Sequence, residues 1–377
     1  MLISKTNKMK NIKHIILALS GFFLVTSCDR ELDINPAQSI TTGQAISTPE
    51  NINNILVGTY AITGRADLFG GDTQMYADLL GNSEYVDWYG TYAALRQIYT
   101  KNIVSDNAYV RDTWQYAYKA IYQTNVILDN LNVVTDTDDK TRIEGEAKFL
   151  RAINYFELVR YFGKQYVAGS TNSQLGVPIV LSSKVDFSGD LSIARNTVEE
   201  VYAQVIKDLT EAIAKLPSDN SYYADVYTAK ALLARVYLQK GDYANARAMS
   251  NDVIANSGRS LVGSFDGAFN TGENTSEDLF ATQVTSQSGI NDLNTFYADD
   301  IYGGRGGDIA VRDDYVDLFE ASDVRGDFFY YNGYGDRLSS KFKNQFGNVH
   351  VIRLAEMYLI RAEANLALST SVGATPL

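Results

Sequence analysis

Cysteine and histidine are almost missing from this chain of 377 residues: it has one cysteine, Cys28, and two histidines, His14 and His350. A single thiol forms no internal disulfide and no thiolate zinc set. His14 lies in a leader-like segment, so any Ser-His-Asp triad would have to be built on His350, and a histidine-rich metal site is excluded. An excess of positive charge is lacking as well. The net charge of −12 argues against nucleic acid, whose phosphates need a basic footprint, and against anionic head groups. Long apolar runs are absent too, since the longest, residues 15–25, falls short of the roughly 20 residues that cross a bilayer. No metal and no cofactor is expected.

Tyrosine is plentiful, at 26 against 16 phenylalanines and 2 tryptophans. A phenol ring joins a flat apolar face to a hydroxyl, which suits wet, hydroxyl-rich ligands such as sugars, although helix-packing proteins use tyrosine as well. At the start, Lys5, Lys8, Lys10 and Lys13 precede the apolar run, and Leu24-Val25-Thr26-Ser27-Cys28 follows it. Basic, apolar and small-residue regions in that order read as a secretory leader. The cysteine at its end resembles a bacterial lipobox, in which cleavage frees Cys28 for acylation. Residues 1–27 are therefore expected to be a signal peptide, 28–40 a lipidated tether and 41–377 the folded part. An acylated Cys28 would leave no thiol nucleophile.

Helical spacing dominates from residue 41 onward. Apolar residues recur at three- and four-residue steps over 41–62, 110–131 and 141–162. Residues 197–200 (Thr-Val-Glu-Glu) form a capping box ahead of a stripe ending near Pro217. Residues 227–239, the turn Lys240-Gly241-Asp242 and residues 243–255 read as a tight helix pair, with Ala231, Ala234, Ala246 and Ala248 permitting close approach. Such a pair needs stacked partners, expected in 110–162, 197–216 and 350–368. Trp114, Arg151, Arg353 and Glu356 read as packing and pairing residues of that stack, and His350 as an interface residue. Asp136, Asp138 and Asp139 lack the glycine and glutamate of a calcium loop and read as a helix start. Residues 63–106, 164–195 and 257–349 carry more glycine and less periodicity, and a loop is expected between Leu80 and Tyr92.

Several runs in order resemble the SusD/RagB family of cell-surface nutrient-binding lipoproteins. They are Cys28 with Leu32-Asp33 and Pro36; Trp114, Tyr118, Ile121 and Asn125; Glu146-Ala147-Lys148-Phe149-Leu150-Arg151-Ala152; Tyr155-Phe156; Phe162-Gly163; and Gly176-Val177-Pro178. Thr197 to Tyr202, Asp208-Leu209, the repeat at 231–254 and Arg353 to Ala364 complete the set. The resemblance implies a mainly α fold, with a tetratricopeptide-like helix-pair scaffold and a loop-rich ligand face. The folded part would comprise an N-terminal part (41–220, including an aromatic loop 63–106), the helix pair 225–256 and a C-terminal part 257–377. In the family a further region follows the closing run, so the C-terminal part reads as incomplete and its last helix as short of a packing partner. The resemblance also implies an outer-membrane, lipid-anchored location facing the cell exterior. Its partners would be an oligosaccharide, or in some members a peptide, and a SusC-like TonB-dependent transporter.

Two segments are candidate binding sites. In the first, Asn82, Tyr85, Asp87, Trp88, Tyr89 and Tyr92 set flat rings beside amides and carboxylates, and the weak periodicity suggests that Trp88 is displayed from a loop. In the second, glycines flank Arg305, and Tyr297, Tyr302 and Arg305 would form a second wall. A glycoside hydrolase is the enzymatic alternative, because Asp78, Glu84, Asp87, Asp299 and Asp300 supply carboxylates, but no motif sets a pair at catalytic spacing. A protein-binding scaffold is the third reading.

Overall fold

A computed structural model describes residues 43, 46–81, 84–183, 192–287 and 289–373. The expected leader, Cys28 and tether lie outside the described residues. The chain divides into the units Met1–Ala45 and Ile46–Leu377, and every element below belongs to the second.

The helices follow the apolar periodicity closely. They are α1 (Pro49–Thr63), α2 (Asp72–Gly81), α3 (Ala93–Tyr99), α4 (Ala108–Asp129), α5 (Thr137–Phe162), α6 (Val198–Ile213), α7 (Val226–Lys240) and α8 (Tyr243–Asn256), then the short α9 (Asp292–Tyr297) and α10 (Asp313–Val316), and finally α11 (Leu354–Leu368). Side chains close their starts: Asp136 accepts from the Asp139 amide at the head of α5, and Thr197 and Glu200 complete the capping box of α6. Gly241 closes α7 in the left-handed conformation at φ 72°, which only glycine adopts without strain.

Neighbours in sequence pack as neighbours in space: α1 on α4, α4 on α5, α5 on α6, α6 on α7, α7 on α8, and α8 on α11. Helix α5 is buried on every side from Phe149 to Val159, not along one stripe. Ala231, Ala234 and Ala246 are fully buried where α7 meets α8, but Ala248 faces outward. The last helix has a packing partner in α8, while Leu359 and Leu366 on its other side are exposed.

Inside this stack, Arg151 forms a bidentate pair with Asp208, at 2.8 and 2.6 Å, and donates to Asn125 Oδ1 at 3.0 Å. Asn125 and Tyr155 in turn donate to the Val180 carbonyl, each at 2.9 Å, and Tyr118 to that of Pro178 at 2.7 Å. The apolar run 177–180 is thereby tied across the helices as an irregular strap. Arg235 pairs with Glu356 and Arg353 with Glu277, consistent with their reading as structural. Trp114 packs edge-on to Phe162 with centroids 4.9 Å apart.

Two expectations need correction. The segment 63–106 is not a long loop, since α2, β1 (Val86–Trp88) and α3 occupy most of it. The final helix begins at Leu354, because Val349–Arg353 forms strand β6, antiparallel to β2 (Asp278–Thr282). Apolar residues at 349, 351 and 352 are compatible with either structure, and pairing to β2 decides it. His350 bridges the two strands, with Nδ1 2.7 Å from Asp278 Oδ1.

Candidate ligand-binding site

A second, smaller core carries the candidate segments. Strand β1 pairs antiparallel with β3 (Ile309–Val311), setting Asp87 opposite Ala310 and Trp88 opposite Ile309. The two segments, more than 200 residues apart in sequence, thus meet on one small sheet. Alternation along β1 turns Val86 and Trp88 inward and Asp87 outward.

Trp88 is therefore not the displayed ring that its surroundings suggest. It is only 7% exposed and packs on Phe296 at 6.1 Å. Gly90 is its lid, since a Cβ there would lie 2.4 Å from the indole. Tyr297 is buried as well, donating to Asp78 Oδ2 at 2.6 Å, and Tyr302 is half-buried edge-on to Tyr330. The second wall consequently reduces to Arg305. Asn82 lies outside the described residues.

Tyr89 and Tyr92 are the exposed rings, at 56% and 42%. Arg305 lies over the Tyr92 ring at 4.6 Å, and is held there by Asp308 at 2.9 Å and by Thr91. The Tyr89 amide donates to the Asp308 carbonyl at 2.8 Å, which joins the Tyr89–Tyr92 turn to the glycine loop 303–307. Asp87 accepts from the phenols of Tyr99 and Tyr89 and lies 3.6 Å from Arg312. Partial desolvation, followed by the charges of Asp87 and Asp336, raises the pKa of Tyr89 and keeps its hydroxyl a donor.

A hairpin of β4 (Phe329–Tyr331) and β5 (Arg337–Ser339) completes this face. Its turn is fixed by Asn332, whose amide donates to the Gly306 carbonyl at 2.8 Å and whose oxygen accepts from the amides of Tyr334 and Asp336. Tyr334 is thereby held beside Gly306 and left 84% exposed. The sequence reading missed Tyr331 and Tyr334, although Asn332-Gly333 between two β-favouring runs is a hairpin signal.

Below the face lies a cavity of about 310 Å³ walled by Tyr85, Tyr297, Tyr315, Phe319, Phe329 and Phe342. Tyr85 tilts against Tyr315 at 5.6 Å. Asp78, Arg325 and Lys341 are its charged members. Flat rings with a few polar groups between them suit a ligand with both C–H faces and hydroxyls. No group of histidine, cysteine, aspartate or glutamate able to hold a metal occurs among the described residues.

The family model described as "SusD-like, starch-binding associating with outer membrane" matches residues 31–238, more than half of the chain. The chain belongs to the SusD-like family. It is 26% identical over 307 residues to SusD-like protein P2 of Formosa agariphila, covering 79% of this chain and 57% of that protein. A SusD superfamily protein from Bacteroides thetaiotaomicron superposes with TM-score 0.78 at 26% identity, over 86% of this chain and 78% of the other. A laminarin binding SusD-like protein shares the fold at TM-score 0.70 and 24% identity, over 84% and 80% of the two chains. The chain spans about half the length of the curated relatives it matches. Among the described residues no helix is long and apolar enough to cross a membrane.

Proposed function

We propose that this SusD-like chain is a lipid-anchored surface protein that captures oligosaccharides without cleaving them and passes them to a TonB-dependent outer-membrane transporter. The observation that carries this reading is the exposed set Tyr89 beside Asp87, Tyr92 under Arg305 and Tyr334 beside Gly306, three rings held on backbone that is itself tied down. Sugar rings stack on such phenols, and the guanidinium together with Asp87 and Asp336 offers donors and acceptors to hydroxyls. The family's description as starch-binding and outer-membrane-associated supports both the ligand class and the location. The carbohydrate named for the laminarin-binding relative supports a glucan among the first ligands to try.

The test is calorimetric titration of the chain from Asp29 onward with a panel of oligosaccharides, alongside an assay for new reducing ends. Heat without product is expected, and product would replace binding with hydrolysis. Tyr89→Ala and Tyr334→Ala should each weaken binding by about 2 kcal/mol while leaving the unfolding midpoint unchanged, as exposed anchor residues do. Unaltered affinity in both variants would move the site elsewhere.

A further inference from the structure

Beside the aromatic cavity, on the other side of Lys341 and Phe342, lies a second cavity of about 190 Å³. Its lining has an unusual charge balance. The chain holds 45 acidic residues, yet none lines this cavity, whereas the cations Lys341 and Arg353 do, together with His350 and the amides of Gln74 and Asn270. Three carboxylates stand around it and each is engaged: Glu277 with Arg353 and Asp278 with His350, each at 2.7 Å, and Asp78 of the aromatic cavity with the Tyr297 hydroxyl.

Lys341 is the cation left over. It forms no ion pair among the described residues, and its ammonium group lies 5.2 Å from the Phe269 ring centroid. The Arg353 guanidinium is over the same ring at 5.0 Å. One phenylalanine therefore holds two positive charges near each other, of which Arg353 alone is ion-paired. Desolvation first, then repulsion from Arg353, lowers the pKa of Lys341 against the attraction of Asp78 in the neighbouring cavity, with Arg325 adding a smaller push downward. His350 Nε2 is buried and meets no protein group. Lys341 and Arg353 facing a small cavity whose own lining holds no carboxylate are arranged for an anion from outside.

We propose that the second cavity is an anion subsite, in which Lys341, flanked by Arg353 and His350, takes the carboxylate or sulfate ester of an acidic sugar. This rests on the oligosaccharide reading and narrows it: the ligand's sugars lie along the aromatic cavity while its charged substituent reaches past Phe342. Arg353 supplies a second charged donor, and the amides give the site its shape.

The test uses inorganic sulfate and glucuronate as separate probes, followed by neutral, uronate-containing and sulfated oligosaccharides, on the chain from Asp29 onward and on Lys341→Met. At least one small anion should bind the unaltered protein, and Lys341→Met should weaken that binding tenfold or more. Acidic oligosaccharides should lose affinity as sodium chloride rises, and neutral ones much less. The sulfate and glucuronate arms distinguish the two anion sources. Binding of neutral oligosaccharides with no response to either anion would overturn the subsite and leave the glycan reading standing. Anion binding abolished by Lys341→Met, with no oligosaccharide bound, would support the subsite and remove the glycan reading. Equal anion affinity in both proteins would overturn the assignment of Lys341, and the salt dependence of the unaltered protein gives a check that needs no folded variant.

Discussion

The two cores of the folded unit are held together in different ways. In the helical core, α5 is the axis: contiguous apolar faces stack in chain order, and the polar groups buried among them are tied up locally, as in the Arg151–Asp208–Asn125 knot. In the core beneath the candidate site, regular structure comes in short pieces, two-stranded sheets and helices of four to ten residues. There asparagine side chains substitute for ladder hydrogen bonds. Asn291 donates to the Gly347 carbonyl, Asn294 to that of Phe342, Asn332 to that of Gly306 and Asn270 to that of Ser340. A helix satisfies its own backbone, whereas an irregular chain must borrow amide groups from elsewhere. The site region therefore has a backbone fixed by point contacts, which leaves Tyr89, Tyr92, Tyr331 and Tyr334 exposed above rings that pack inward.

Three experiments would break or sharpen this contrast. The largest effect is expected from Asp208→Ala, which leaves the Arg151 guanidinium buried without its carboxylate and should cost about 3–5 kcal/mol in urea unfolding. A loss under about 1 kcal/mol would mean that the helical core does not depend on the knot. Next comes Trp88→Ala, expected to cost roughly 3 kcal/mol of stability through the cavity it leaves under Gly90. Weakened glycan binding with an unchanged unfolding midpoint would instead return Trp88 to the ligand.

The third experiment concerns pH. Asp72 is buried at the start of α2, and desolvation, followed by the charges of Asp292 and Asp67, raises its pKa from 3.8 to about 8. The folded state thus holds a proton that the unfolded state releases above about pH 4. Stability should fall as pH rises from about 4 to 8, then level off. Asp72→Asn should flatten that slope and gain about 1 kcal/mol or more at pH 8 relative to pH 5. An unchanged slope would place the titrating group elsewhere.

The helical core was legible because its signals are local. Periodicity, the Thr197 capping box and Gly241 each act within a few residues, and the helices lie close to where the pattern sets them, except that α1 starts only at Pro49. The site region was legible only in part. Aromatic richness and glycine spacing singled out two segments that prove to be spatial neighbours, with Arg305 over the Tyr92 ring and the Tyr89 amide bonded to Asp308. Which ring points outward did not follow, because β1 is three residues long and its alternation is visible only once β3 pairs with it. The asparagine contacts, spanning 26 to 70 residues, have no periodicity that would reveal them.

Fixing the β4–β5 turn through Asn332 separates two tasks. The bonds that shape this tip are made by the Asn332 side chain and by backbone amides, and its most prominent ring, at position 334, takes no part in them. Tip chemistry is in that sense an interchangeable fitting: relatives sharing the scaffold could trade the phenol for an indole, an amide or a charge and retarget what they capture, with no penalty to folding.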